Sequence, residues 1–166
     1  MNLGSLIIGI VLVLLFVVPI YFFSRKNADK ERKLLAYFKN MANQQGLNVS
    51  QTEIWDSIYF IGIDQEADKI FYLKKTEENE EKVLIGLREI EKCRVDNVIR
   101  TIKEGKYTTS ITDRIDLKIK LKNSNAFEKT IEIYNAHGNG NIILSDQLHL
   151  AEKWTKIINQ KINSIN

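Results

Sequence analysis

The chain is poor in the side chains on which most catalytic and metal chemistry depends. Among 166 residues there is one cysteine, Cys93, and there are two histidines, His137 and His149. A lone cysteine permits no internal disulfide and suits a reducing compartment. Cys93 stands in a strand-like run with Val95, far in sequence from either histidine, so no base activates it and a small buried residue is expected. His149 and Glu152 lie one helical turn apart, a spacing able to grip a metal. Zinc requires three or four ligands, however, and no second pair accompanies them. Gly138 and Gly140 lack the third glycine of a phosphate loop, Ile143 taking that place, and no Walker lysine follows. Glu77, Glu78, Glu80 and Glu81 share one polar run without the apolar surroundings that raise a carboxylate's pKa. No nucleophile, base and oxyanion donor converge. The sequence therefore predicts no catalytic residues, no cofactor, no metal and no enzyme activity.

An excess of one charge sign is also missing beyond the first 39 residues. The formal net charge is +3, but Arg25, Lys26, Lys30, Arg32, Lys33 and Lys39 face only Asp29 and Glu31. Taking those from the 24 basic and 21 acidic residues leaves 18 basic and 19 acidic, so nucleic acid is not an expected partner.

What the sequence does have is one long apolar run. Leu3 to Phe23 is 21 residues without a charge. As a helix it extends about 31 Å, the thickness of a bilayer's hydrocarbon core. A cleaved signal peptide would need a basic start, a shorter run and a small-x-small site, all missing here. The sequence thus predicts a transmembrane anchor over residues 1–24, with the bilayer as a partner. The basic residues from Arg25 to Lys33 predict, by the positive-inside rule, an N-terminus outside and a cytosolic domain. That places the protein in the cytoplasmic (inner) membrane as a single-pass protein. The same five cations (Arg25, Lys26, Lys30, Arg32 and Lys33) could meet lipid headgroups, although Asp29 and Glu31 weaken that attraction. Ser5 and Gly9 form a small-xxx-small pair that would let two anchors associate into a homo-oligomer.

Beyond the anchor, Leu34, Leu35, Phe38, Met41 and Ala42 recur at helical spacing, which predicts a basic amphipathic helix over 25–46 stopped by Gly46. From residue 50 onward the pattern is that of strands. Residues 54–74 read as one hairpin turned by DQEAD, followed by the acidic loop 76–81 and a short strand, VLIGL. Residues 91–103 read as a longer strand, with one turn of helix near Arg88 to Lys92. Ile115, Leu117, Ile119 and Leu121 alternate strictly with Asp116, Lys118, Lys120 and Lys122, the period of a half-buried antiparallel strand. Phe127 to Tyr134 supplies its partner, and Ile142 to Leu144 a brief strand after the AHGNGN loop. A final helix, capped by Ser145 or Asp146, carries a stripe of Leu148, Ala151, Trp154, Ile158, Ile162 and Ile165.

With IGID…DKIFYLKK followed by VLIGLREIEKCRVD, this order resembles the bacterial pleckstrin-homology (PH)-like domains. The resemblance implies an α+β fold over 50–166: an antiparallel six- to seven-stranded sheet or split barrel closed by the C-terminal helix. It also implies a non-catalytic binding or scaffold function with a protein or peptide partner. Eukaryotic members hold phosphoinositides with a basic first loop, whereas the loop here is the acidic DQEAD, so that ligand does not carry over. The alternative is a structural subunit of a secretion or transport assembly with an NTF2-like domain. Tyr107, Thr108 and Thr109, in a polar loop, are the candidate partner contacts, since exposed tyrosines are enriched on binding surfaces.

Overall fold

The computed structural model describes residue 12 and residues 29–122, 127–136 and 144–165. The chain divides into two compact units, Met1–Met41 and Ala42–Asn166.

The first unit holds most of helix α1, residues 29–44. Leu34, Leu35 and Phe38 lie on its less exposed face, while Lys30, Arg32, Lys33 and Lys39 are exposed. The helix ends as its sequence dictates. Gly46 takes a φ of 72°, its N–H donates to Asn43 O at 2.9 Å, and Leu47 N–H donates to Ala42 O at 3.1 Å. Those two bonds satisfy the terminal carbonyls in a Schellman arrangement.

The second unit contains seven antiparallel strands in meander order. Strands β1 (Gln51–Trp55), β2 (Tyr59–Asp64), β3 (Lys69–Lys75) and β4 (Glu80–Gly86) form one four-stranded sheet. Strands β5 (Ile90–Glu104), β6 (Tyr107–Leu121) and β7 (Phe127–Asn135) form a second, three-stranded sheet. A 3-10 turn over Leu87–Glu89 interrupts the ladder between them, held by Leu87 N–H to Asp68 O at 2.7 Å and Lys122 N–H to Glu89 O at 2.7 Å. Helix α2 (Leu144–Ile165) follows.

The two sheets and α2 share one core. Ile61, Ile63, Ile70 and Tyr72 come from the first sheet, and Ile115, Leu117, Ile119, Ile131 and Ile133 from the second. Ala151, Trp154, Ile158 and Ile162 come from α2, so the period-two strands and the 3.6-period helix bury the faces their sequences mark. All six residues of β2 are buried, Phe60 as fully as Tyr59, so this strand is covered on both faces.

Several expectations are corrected. No helix among the described residues is long and apolar enough to cross a membrane. On that finding the predicted transmembrane helix and single-pass membrane architecture are withdrawn. The segment expected to span, Leu3 to Phe23, lies outside the described residues apart from Leu12, as do Arg25 and Lys26. The seven strands form two sheets of four and three rather than a single sheet or split barrel. The stretch from Ile54 to Ile63 is two strands, because Asp56 and Ser57 adopt φ of 52° and 59° and reverse the chain. Asp is among the few non-glycine residues that tolerate this region, and its side chain can bond locally. Leu144 begins α2 instead of ending a strand, and His137 to Ile143 lie outside the described residues.

Candidate functional site

The feature that sets the second unit apart is the length of β5 and β6. Each runs for 15 residues, but β7 pairs with β6 only from Arg114 to Lys120. Past that point the two strands continue as a ribbon, from Asn97 and Val98 to the turn at Gly105 and Lys106 and back to Asp113. A register shift marks the departure: Val98 faces Arg114 and Ile99 faces Thr112, leaving Asp113 as an extra residue on β6. Such a bulge bends the strand and increases its twist. Asp113 is fixed on both sides, since its carbonyl accepts from Ala136 N–H at 2.9 Å and its Oδ1 pairs with Arg100 at 3.2 Å. At the far end Gly105 takes a φ of 61°, the positive value that a two-residue type II′ turn demands of its first central residue.

Cross-strand register assigns the side chains to faces. Ile102 opposite Thr109 and Arg100 opposite Ile111 share one face with Tyr107. Thr101 opposite Ser110, Lys103 opposite Thr108 and Ile99 opposite Thr112 share the other. Nearly every residue from Asn97 to Ile111 is exposed. Tyr107 is 81% exposed and Ile99 55%. Of the seven large hydrophobics exposed among the described residues, four (Val98, Ile99, Tyr107 and Ile111) are on this ribbon. Such a concentration on one element makes the ribbon the candidate contact element, although Ile99 lies on the face opposite Tyr107 and Ile111.

The three sequence candidates thus lie here, but on a strand rather than in a polar loop, and they divide: Tyr107 and Thr109 point one way, Thr108 the other. Sequence reasoning missed Ile99 and Ile111 as their neighbours. The signal was two β-branched runs flanking Gly105 and Lys106, VIRTIK and YTTSIT.

The ribbon's base is fastened by a polar seam between the sheets. Tyr59 Oη donates to Glu132 Oε1 at 2.7 Å and Lys74 Nζ to the same oxygen at 2.6 Å; Asn135 Nδ2 donates to Oε2 at 3.2 Å. Burial alone would raise the Glu132 pKa, but these three donors together outweigh it and hold the carboxyl below its ordinary value. Tyr72 Oη donates to Glu132 O at 3.0 Å and Trp55 Nε1 to Ile133 O at 2.8 Å. Next to Glu132 on the neighbouring strand is Asp116, wholly buried although its alternation predicts a solvated face. Arg114 Nε approaches it to 2.8 Å and Lys118 Nζ to 3.5 Å. Desolvation exceeds the pull of both cations, so its pKa is raised.

The reactive side chains are not brought together. Cys93 is buried, and desolvation pushes its thiol up to about 12. His149 is 80% exposed and lies 3.7 Å from Glu152, one turn along the same helix. Among the described residues no group of three or more metal-ligating side chains forms. Lys30, Arg32 and Lys33 are exposed on α1 in the other unit. No protein-family model, curated protein or solved structure matches the chain.

Proposed function

We propose that the unit Ala42–Asn166 is a non-catalytic binding module of PH-like kind and that the β5–β6 ribbon is its recognition element. The observation that carries this reading is the exposure of Val98, Ile99, Tyr107 and Ile111 on a two-stranded extension that no third strand accompanies among the described residues. A two-stranded ribbon in water is marginally stable alone, so apolar side chains kept there serve contact better than folding. The meander of seven strands followed by one helix supports the PH-like part. The buried, protonated Cys93 and the solvated His149 support the non-catalytic part.

The test is a photo-crosslinking amino acid placed at position 107 of the full chain in cells. A discrete protein adduct is expected there and not from a probe at Glu66, which is exposed in the turn between β2 and β3. Ile99→Ser with Ile111→Ser should cut that adduct about tenfold, the effect of losing about 1.4 kcal/mol of contact. Thermal stability should barely change, since surface substitutions fall within about 0.5 kcal/mol. Equal adducts at 66 and 107, or adducts at 107 indifferent to both substitutions, would sink the reading.

A further inference from the structure

We propose that the outer edge of β5, from Asn97 to Lys103, takes up an extended acidic peptide as an added strand. This rests on the ribbon being a recognition element and names the chemistry of its partner.

The fold itself shows what this edge can hold. Near the start of β5, Asn159 of α2 inserts its amide against the strand: Cys93 N–H donates to Asn159 Oδ1 at 3.0 Å, and Asn159 Nδ2 donates to Cys93 O at 2.8 Å. An amide bonded to both groups of one residue is half of an antiparallel ladder pair, so the side chain stands in for a peptide. Outward-facing pairs recur every second residue along a strand, at Val95, Asn97, Ile99, Thr101 and Lys103. Strand order places no other strand beside β5 on this side among the described residues.

Other edges are managed differently. On β7, Trp55 and Tyr72 occupy the carbonyls of Ile133 and Glu132. On β4, the first three residues are Glu80, Glu81 and Lys82, charges of the kind that discourage pairing. Strand β1 is only five residues long. Between Asn97 and Lys103 the edge of β5 carries charge only at Arg100, which Asp113 neutralises, and at Lys103 beside the turn, and its exposed Val98 and Ile99 favour pairing.

Charge selects the occupant. Lys103 and Lys106, both exposed, have no ion-pair partner among the described side chains, whereas Arg100 and Asp113 neutralise each other. Along β5, Asp96 lies below the site and opposite Asp116. A strand laid along Asn97–Lys103 therefore meets β-branched side chains in its middle and cations at the turn end. The matching ligand has β-branched residues at its centre and carboxylates at the end that lies by the turn, and a probe acidic at both ends serves either strand polarity.

The experiment uses the full chain and fluorescently labelled Ac-DEVTVTVDE-NH2, with Ac-KRVTVTVKR-NH2 as its charge-reversed counterpart. The acidic peptide should bind at least about tenfold tighter, and added salt should weaken it. Lys103→Glu with Lys106→Glu should reverse that preference. Thr101→Pro removes an outward N–H without touching the bonds to β6, and should abolish binding while the circular dichroism spectrum is kept. Bound peptide should slow amide exchange at Asn97, Ile99, Thr101 and Lys103. Equal binding of both peptides, or binding indifferent to Thr101→Pro, overturns the proposal. So does a dimer in sedimentation velocity that Thr101→Pro dissolves, because a second copy would then own the edge. If the peptides fail while crosslinks at position 107 persist, only the strand-addition proposal falls; if both fail, the reading of the ribbon falls with it.

Discussion

Glu132 and Asp116 sit directly opposite each other on adjacent strands and have opposite titration behaviour. Glu132 is held below its ordinary 4.5, so its contribution is whole above about pH 4.5 and is lost as the pH falls through the lower folded value. Glu132→Gln should cost about 2 kcal/mol at pH 7, because charge-assisted bonds from Lys74 and Tyr59 go with it. That deficit should shrink toward pH 3. Asp116 is raised above its ordinary 3.8, so the folded state holds the proton more tightly than the unfolded chain. Stability falls as the pH rises from 3.8 through the raised value, and the penalty is complete above it. Asp116→Asn should therefore stabilise the protein at pH 7 and lose that advantage at pH 3. Urea unfolding at pH 3, 5 and 7 checks both; parallel curves for either variant and the wild type would refute the assignment.

Among the elements, β5 depends on its contact with α2. Asn159→Ala leaves the N–H and carbonyl of Cys93 without their partners, and should cost about 1–3 kcal/mol. Amide exchange at Cys93 should accelerate while Ile119, in the neighbouring strand, keeps its protection. How much of such detail the sequence reveals depends on whether a single period covers the segment. Ile115, Leu117 and Ile119 alternate against one core, and Ala151, Trp154, Ile158 and Ile162 repeat at helical spacing, so β6 and α2 are legible. Asp56 and Ser57 reverse the chain without a glycine, hiding the β1–β2 turn. Tyr107 to Ser110 look like a loop because a ribbon exposed on both faces has no apolar alternation to betray it. Asp116 and Glu132 read as solvated outer-face charges, since nothing local announces that Lys74 and Tyr59 arrive from another sheet.

At the scale of the whole molecule, both sheets of the second unit close over one shared core. Trp154, fully buried, belongs to the same cluster as Ile61 of one sheet and Leu117 of the other. Trp154→Ala should cost about 3–5 kcal/mol. Both sheets should lose exchange protection together; a four-stranded sheet that stayed protected alone would show two cores. The ribbon contributes little to that core, so it can vary in sequence while the scaffold persists.

The extra residue at Asp113 acts as a change of phase. Below it, odd-numbered residues of β6, Ile115, Leu117 and Ile119, look inward. Above it the parity inverts, and Tyr107, Thr109 and Ile111 share the outward side with Arg100 and Ile102. Were Asp113 paired in regular alternation instead of bulged, Tyr107 would lie on the opposite side of the ribbon, since a one-residue slip exchanges the two faces of a strand. Which way the protein presents Tyr107 is thus decided by a count of residues as much as by their chemistry.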